Sequence, residues 1–187
     1  MLRKITIYIG SFKPPHKGHL FLVKKMLKMT KAEKKGDYPG IVYIFISNKE
    51  REPCGKITGV VSKEIWKEYI KTLPVKDQAR VKLILSSLPS PTQTAYGFVN
   101  KLAKKGDIFY LIKSAKNADN TRFASLLNMK KKGIDMYEMV LPGYENLNAS
   151  DMRNALYNDD KKEFSKYIPK MSIINKNKIW NKLKVLC

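Results

Sequence analysis

Short apolar runs separated by polar segments recur along the chain, and five of them are rich in Ile, Val, Leu, Tyr and Phe. Within each run the apolar residues are nearly continuous, without the alternation expected of a sheet with one face in water. Continuous runs of this kind are typical of parallel strands that are covered on both faces. The predicted strands are Ile5–Ile9, Ile41–Ile46, Val81–Leu85, Ile108–Ile112 and Met136–Val140.

Segments with a helical period lie between these runs. In the first of them, Leu20, Val23 and Leu27 fall on one face of a helix. Ser62 is a suitable N-cap for the second, and the Lys-Lys-Gly sequence that ends at Gly106 closes the third. The predicted helices are Gly18–Lys28, Ser62–Thr72, Thr92–Lys104, Thr121–Met129 and Ser150–Tyr157. This alternation predicts an α/β fold, a Rossmann-like doubly wound parallel sheet of five strands with helices on both faces.

Beyond Pro169 apolar residues return with roughly helical spacing, and Trp180 is among them. The spacing predicts a last helix in a C-terminal extension, residues 159–187, that packs on a main domain of residues 1–158. Because lysines flank Trp180, a membrane-surface or partner-binding helix is the alternative. The apolar runs are much shorter than the ~20 residues of a membrane span, so no membrane segment is expected.

The chain has 187 residues, enough for one domain, and a formal net charge of +21. Such a charge attracts polyanions, including nucleotides and nucleic acids. A solvated lysine surface is the other interpretation, and we favour it because the lysines are scattered over the whole chain and no nucleic-acid-binding signature is present.

The two cysteines, Cys54 and Cys187, do not form a CxxC pair. No disulfide framework is therefore expected. The N-terminal sequence enters a strand directly and lacks the pattern of a signal peptide. Together these features favour a reducing, cytoplasmic location.

The two histidines, His16 and His19, both lie in GSFKPPHKGHL, the stretch that follows the first predicted strand. A doubly wound sheet binds ligands beyond the carboxyl ends of its strands, where the strand order reverses. There Gly10 lets a ligand approach the backbone, and Gly18 allows tight packing as the helix begins. Since the N-terminus of a helix favours an anion, we expect both imidazoles to point at one phosphate.

Other interpretations of this stretch are weaker. A zinc site needs about four ligands, and the sequence has no Cys/His set to complete one around His16 and His19. A GxGxxG turn and a Walker lysine-serine pair are both absent. Ordinary surface histidines are disfavoured because both lie beside glycines at the expected switch point.

The pattern G-x-F-x-P-x-H-x-G-H at residues 10–19 resembles the signature of the HxGH nucleotidylyltransferase superfamily. That superfamily carries a second motif near the C-terminus, I-S-x-[ST]-x-x-R at the start of a helix. LNASDMR, residues 147–153, is similar to it: Ser150 and Arg153 match, and Asn148 replaces the usual first serine. The resemblance covers roughly residues 1–158, with both motifs in the right order.

The resemblance implies an enzyme that joins a nucleoside triphosphate to a phosphomonoester and releases pyrophosphate. His16 and His19 would bind the α- and β-phosphates. Ser150, Arg153 and the helix N-terminus would hold the leaving β- and γ-phosphates. The implied cofactor is Mg²⁺, bound mainly through the substrate phosphates, and the implied assembly is a homo-oligomer. Further nucleotide contacts are expected from Gly10, Ser11, Phe12, Gly18 and Asn148.

Pro14 favours an adenylyltransferase, because cytidylyltransferases of the superfamily usually carry an aliphatic residue there; a CTP-dependent enzyme is the alternative. GSFKPPHKGHL is close to the motif of archaeal-type nicotinamide-nucleotide adenylyltransferases. Ala118–Asn120 is similar to a stretch of the bacterial nicotinate-nucleotide enzymes, whereas SNKER, residues 47–51, resembles pantetheine-phosphate adenylyltransferases. Pro89–Tyr96 and Asp119–Phe123 are similar to segments of phage and large-virus members.

These partly incompatible matches predict a basic acceptor pocket more firmly than one acceptor. At Lys13 the sequence departs from the superfamily, in which Asp, Asn or Gln is common. A helix cap at Asp119 and solvated loop charges at Lys49 and Arg51 are the structural alternatives. The candidate residues of the pocket are Lys13, Lys49, Arg51, Lys113, Lys116, Asp119 and Arg122.

The expected reaction is transfer of AMP from ATP to a small phosphomonoester, first of all nicotinamide or nicotinate mononucleotide. Pantetheine phosphate is the second acceptor considered. The expected location is the cytoplasm, or the host cytoplasm if the protein is viral. A non-catalytic protein that binds nucleotides or nucleic acid on the same fold is the alternative of another class.

Overall fold

The structure is a computed structural model, and it describes residues 3–33, 38–88, 90–114, 121, 123–127, 133–144 and 147–187. A sheet of five parallel strands lies at its centre. The strands are β1 (Lys4–Gly10), β2 (Ile41–Ile46), β3 (Val81–Leu85), β4 (Ile108–Ser114) and β5 (Asp135–Leu141). All five predicted strands are confirmed, with small shifts at their ends.

The strands are arranged in the order β3-β2-β1-β4-β5. The chain therefore moves outward from β1 to β3, then crosses the sheet and continues at β4 on the other side of β1. This reversal between β1 and β4 is the switch point at which such sheets bind ligands. The predicted Rossmann-like, doubly wound α/β fold is confirmed.

Helices connect and follow the strands. They are α1 (Lys17–Met29), α2 (Gly59–Ile70), α3 (Val75–Gln78), α4 (Pro91–Leu102), α5 (Ala124–Leu127), α6 (Ala149–Tyr157), α7 (Lys161–Ser165) and α8 (Ile173–Lys184). The short helices α3 and α7 were not predicted. Of the helix predicted at 121–129, the structure describes α5, and residues 122, 128 and 129 lie outside the described part.

The apolar core has one layer on each face of the sheet. Tyr8 of β1 packs in a cluster with residues of α1, α2, α6 and α8. Its neighbours Ile7 and Ile9 belong to a second cluster, with residues of α4 and α5. Because successive side chains of a strand point to opposite faces, the two clusters lie on opposite sides of β1. The helices thus cover both faces, as the continuous apolar runs predict.

The predicted start of the second helix was wrong. α2 begins at Gly59, and its N-cap is Thr58, whose hydroxyl accepts a hydrogen bond from the N–H of Val61. Ser62, the predicted cap, lies within the helix and is fully buried. The segment before it has no apolar period, so only the cap geometry at Thr58 reveals the extra turn.

The C-terminal helix α8 packs against α2 and the core. Its buried residues are Ile179, Trp180 and Leu183. Lys178 contacts Glu68 of α2 at 3.4 Å. Lys182 forms an ion pair with Glu64 of the same helix. Lysines on either side of Trp180 therefore have partners within the molecule. Among the described residues no helix is both long and apolar enough to cross a membrane.

Cys54 and Cys187 form a disulfide, so the expectation that the cysteines make no disulfide framework was wrong. The two residues are 133 positions apart. α8 brings the end of the chain back to the loop that follows β2, which the sequence pattern does not reveal. The sulfur atoms lie 3.5 and 3.8 Å from the carbonyl oxygen of Arg153. The disulfide therefore joins the end of α8 to the β2–α2 loop behind α6.

Candidate active site

Three segments meet at the carboxyl edge of the sheet. The first, residues 10–19, leaves the end of β1 and enters α1 at the switch point. The second is the loop after β2, which begins at Ser47, whose N–H donates a 3.1 Å hydrogen bond to the carbonyl of Gly10. The third is the start of α6, which carries the second sequence motif. The two motifs thus lie at one end of the sheet.

His16 and His19 stack face to face, with their ring centroids 3.6 Å apart and an angle of 26° between the rings. The backbone N–H of His16 donates a 3.1 Å hydrogen bond to Nδ1 of His19. Nδ1 of His19 is therefore an acceptor, and in the neutral ring the proton is on Nε2. The first turn of α1 thereby fixes the tautomer of His19 and makes Nε2–H a hydrogen-bond donor.

The charge state of His19 follows from its surroundings. Burial lowers the pKa of His19 well below its ordinary value of 6.5, and the neighbouring His16 lowers it further. Both effects disfavour a proton on this ring, since a charge loses its hydration and lies beside a second imidazole. At neutral pH His19 is therefore an uncharged donor.

The ring of Phe12 packs against the ring of His19. It has a φ of 51°, in the left-handed region that few residues other than glycine adopt. Its buried ring meets His19 edge-on, with centroids 4.9 Å apart, and packs on Trp66 at 5.5 Å. A Cβ on Gly10 would lie 2.6 Å from the Phe12 ring. Gly10 is thus needed to make room for Phe12, a packing reason beside the predicted nucleotide contact.

Gly18 has a similar relationship to His16. A Cβ at this position would lie 3.0 Å from two atoms of the His16 ring. The glycine lets that ring lie close to the first turn of α1, where it stacks on His19. The tight packing predicted at the start of the helix is therefore the close contact between Gly18 and the ring of His16.

Arg153 of α6 is 7% exposed, and its guanidinium bonds to two other segments and to its own helix. Nη1 donates to the carbonyl of Lys13 at 2.7 Å, and Nε donates to the carbonyl of Glu52 at 2.8 Å. Nη2 donates to the hydroxyl of Ser150 at 3.1 Å. These bonds use three of the five N–H donors of the guanidinium. Arg153 thus connects the first motif to the β2–α2 loop.

Two charged groups act on Arg153, the guanidinium of Arg51 and the carboxylate of Glu52. Burial lowers the pKa of its guanidinium, the nearby Arg51 lowers it further, and Glu52 raises it. An arginine stays charged despite such a shift. Two guanidinium groups close enough to repel each other make the site favourable for a polyanion.

Asn148 is the N-cap of α6, and its amide donates a 3.0 Å hydrogen bond to the carboxylate of Asp151 in the first turn. Ser150 is exposed at the same end of the helix. An exposed hydroxyl beside the N–H groups of a helix N-terminus can bind a phosphate oxygen. The predicted nucleotide contact of Asn148 stays a prediction.

Ser11 and Arg51 are brought together at the end of β1. Nε of Arg51 donates a 3.2 Å hydrogen bond to the Ser11 hydroxyl. The backbone N–H of Lys49 donates to the Ser47 hydroxyl, and the Lys49 side chain is exposed. The β2–α2 loop therefore places a guanidinium against the first motif.

Lys13 is 1% exposed, and its Nζ makes no hydrogen bond within the described part of the chain. Burial lowers the pKa of Lys13 to about 8, with Glu50 raising it and Arg51 lowering it. Lys113, also predicted to face the acceptor, is 4% exposed on β4 and forms a 2.6 Å ion pair with Glu138 of β5. The other three candidates, Lys116, Asp119 and Arg122, lie outside the described residues.

Several residues that shape the site were missed by sequence reasoning. The hydroxyl of Tyr69 donates a 3.0 Å bond to the carbonyl of Pro15. The carbonyl of Tyr167 accepts a 2.7 Å bond from the N–H of Lys17 at the start of α1. No sequence motif identifies either contact. In both of them the acceptor is a backbone carbonyl, and every residue has one.

In the described residues, no three or more His, Cys, Asp or Glu side chains are grouped as metal ligands. No protein-family model matches the chain, and no curated protein matches its sequence.

Among the solved structures that match in fold is TmcAL of Thermotoga maritima, in a crystal structure with alpha-thio ATP bound. The TM-score is 0.56, the sequence identity is 12%, and the match covers 96% of this chain and 55% of the TmcAL chain. This chain thus spans about half the length of that protein. At such low identity, the similarity supports the α/β fold.

Proposed function

We propose that this protein is a nucleotidylyltransferase that transfers AMP from ATP to a small phosphomonoester and releases pyrophosphate. One observation carries the proposal: Arg153 of the second motif bonds to the carbonyl of Lys13 inside the first motif, 140 residues earlier in the chain. The stacked pair of His16 and His19 follows three residues after that contact. The contact between two motifs that resemble one superfamily supports a single site formed by both.

The chemistry of the reaction suits these residues. An oxygen of the acceptor phosphate attacks the α-phosphorus of ATP. The bond from that phosphorus to the oxygen bridging to the β-phosphate breaks, and its electron pair leaves with pyrophosphate. Because the attacking oxygen is already an anion, no base has to remove a proton. Catalysis then requires positioning and stabilisation of negative charge, which hydrogen-bond donors and cations supply.

Each group has a role in this scheme. Nε2–H of the neutral His19, together with His16, would donate to oxygens of the α- and β-phosphates. Ser150 and the N-terminus of α6 would hold the leaving phosphates. The nearly buried Arg153 would add positive charge beside them. Ser11 and Arg51, joined by their hydrogen bond, would face the acceptor.

Magnesium fits this chain as part of the substrate. The described residues offer no group of three or more metal-ligating side chains, and the carboxylate of Asp151 is already bonded to Asn148. We therefore expect Mg²⁺ to enter on the triphosphate, where it would neutralise part of the phosphate charge.

ATP is the nucleotide expected first, since Pro14 has its counterpart in adenylyltransferases and the similar fold of TmcAL is seen with alpha-thio ATP bound. Nicotinamide or nicotinate mononucleotide is the acceptor expected first, followed by pantetheine phosphate. A CTP-dependent reaction is the alternative within the class.

The test is release of pyrophosphate, measured with Mg²⁺ and each of the four common nucleoside triphosphates against a panel of phosphomonoesters. We expect release with ATP and one acceptor, and its loss in His19→Ala. Lys101→Ala, on the exposed side of α4, is the matched control that should retain activity. The charge of +21 favours a second candidate, a nucleic-acid-binding protein. Absence of release with every pair, together with salt-sensitive binding of RNA or DNA, would support that candidate instead.

A further inference from the structure

Lys13 is the most deeply buried cation among the described residues, at 1% exposed, and its Nζ makes no hydrogen bond there. Other buried cations have clear partners: Arg153 bonds to two carbonyls, and Lys113 pairs with Glu138. A buried ammonium group without a hydrogen-bond partner opposes folding. Such a group at the edge of a candidate site points to a ligand that accepts its hydrogen bonds when bound.

The position of Lys13 identifies the kind of ligand. Its carbonyl accepts from Arg153, so its main chain lies beside the second motif. Its ammonium group interacts electrostatically with Glu50 and Arg51 of the β2–α2 loop. Arg51 in turn donates to the hydroxyl of Ser11 at the end of β1. One hydroxyl, two cations and the single carboxylate of Glu50 are therefore gathered on the loop side of the first motif.

We propose that Lys13, Arg51 and Ser11 form an anion subsite that takes the phosphate group of the acceptor, with Lys13 as its buried cation. The assignment to the acceptor rests on the proposed transferase function. In that function the triphosphate is held by the histidines and by the N-terminus of α6, which leaves the Arg51 side of Lys13 for the second phosphate. A phosphate dianion matches two cations that repel each other when no anion lies between them.

Binding at this subsite is linked to a proton. Burial lowers the pKa of Lys13 to about 8; of the charged groups that act on it, Glu50 favours the charged form and Arg51 opposes it. Arg153, from α6, contacts Lys13 at the carbonyl oxygen. Near pH 8.5 the free amine is therefore substantially populated. A bound dianion favours the ammonium form, so phosphate binding takes up protons from solution.

The first measurement is calorimetric titration of inorganic phosphate into the full chain at pH 8.5, in two buffers that differ in ionisation enthalpy. It is repeated with the protein saturated with a non-hydrolysable ATP analogue. We expect binding in both cases, with fractional proton uptake. Lys13→Met should abolish the uptake and weaken phosphate binding about tenfold to a hundredfold. Lys4→Met, at the opposite end of β1, is the matched control and should bind phosphate as the wild type does.

The second measurement is stability in the absence of phosphate. Lys13→Met removes a buried ammonium group that makes no hydrogen bond, so we expect it to raise the urea midpoint at pH 7, and added phosphate should stabilise the wild type more than the variant. A lysine with a structural role would give a lower midpoint. Four results would overturn the proposal: a lower midpoint in Lys13→Met, no phosphate binding by the wild type, equal binding and uptake by Lys13→Met, or displacement of phosphate by the ATP analogue.

These assays separate the subsite from the reaction. Lys13-dependent phosphate binding without pyrophosphate release from any substrate pair refutes the transferase function and leaves the subsite standing. Pyrophosphate release with unchanged acceptor KM in Lys13→Met refutes the subsite and leaves the transferase standing.

Discussion

Nη1 of Arg153 donates a 2.7 Å hydrogen bond to the carbonyl oxygen of Lys13, and this bond joins the two ends of the candidate site. Arg153 also holds the carbonyl of Glu52, so one side chain ties α6 to the first motif and to the β2–α2 loop. The arginine of the second motif therefore holds together the two loops of the candidate site.

Arg153→Ala should reduce both stability and nucleotide binding. Loss of the guanidinium leaves the buried carbonyl of Lys13 and the partly buried carbonyl of Glu52 without their donor, which we expect to lower the free energy of unfolding by about 2–5 kcal/mol. Urea unfolding measures this loss, and calorimetry measures ATP affinity. Lys101→Ala should change neither. A fully stable Arg153→Ala that binds ATP poorly would show that Arg153 does not stabilise the contact between the two loops.

Gly10→Ala should disturb the support of His19. The added Cβ would lie 2.6 Å from the Phe12 ring, so the ring must move from its place beneath His19. We expect a loss of about 1–3 kcal/mol, typical of overpacking, and lower turnover. Gly97→Ala, in α4 with no atom within 4 Å of the new Cβ, is the matched control. It should raise stability by about 0.5–1 kcal/mol.

His16→Ala and His19→Ala should each lower turnover by about 10²–10³-fold, the effect of losing one preorganised donor. His19→Gln retains an N–H donor and should lose less than His19→Ala. Steady-state pyrophosphate release measures the rates, and circular dichroism checks that each variant is folded. Full activity in both alanine variants would remove the histidines from the mechanism.

The fold was predictable because its signals are local. Apolar runs as continuous as Ile41–Ile46 identify buried parallel strands without reference to the rest of the chain. The helix start at Thr58 was not predictable in this way, because the apolar period begins a turn later. Helices as short as α3 and α7 carry too few residues for a period to be detected.

The candidate site was predictable only in part. Spacing and residue type are enough to recognise the two motifs and to expect His16 beside His19. The bonds of Arg153 to main-chain carbonyls, the burial of Lys13 and the ion pair of Lys113 depend on tertiary packing. No local residue pattern encodes these three features. From the sequence alone, all basic residues near the motifs are therefore equal candidates for the acceptor pocket.

Stability should fall on mild acidification, and His19 should account for part of this fall. Its pKa in the folded protein lies well below the ordinary 6.5 of the unfolded chain. Below pH 6.5 the unfolded state therefore binds a proton that the folded state does not, and stability is lost at up to about 1.4 kcal/mol per pH unit. Urea unfolding at pH 7.5 and 5.5 measures the loss. His19→Gln should show a smaller one, and an equal loss would mean that His19 titrates normally.

The disulfide between Cys54 and Cys187 should stabilise the whole site. It joins two residues 133 positions apart, and closing so long a loop restricts the unfolded chain strongly. A double Cys54→Ser, Cys187→Ser variant is therefore expected to lose about 2–5 kcal/mol. Because the sulfur atoms lie against the Arg153 carbonyl, the variant should also bind ATP more weakly.

Reduction provides the control for this variant. Dithiothreitol should lower the urea midpoint of the wild type to that of the double variant and leave the variant unchanged. Titration of the unreduced, unfolded wild type with a thiol reagent should find no free cysteine. Two free thiols, or a wild type whose midpoint does not respond to reductant, would mean that α8 is held by its apolar face and ion pairs alone.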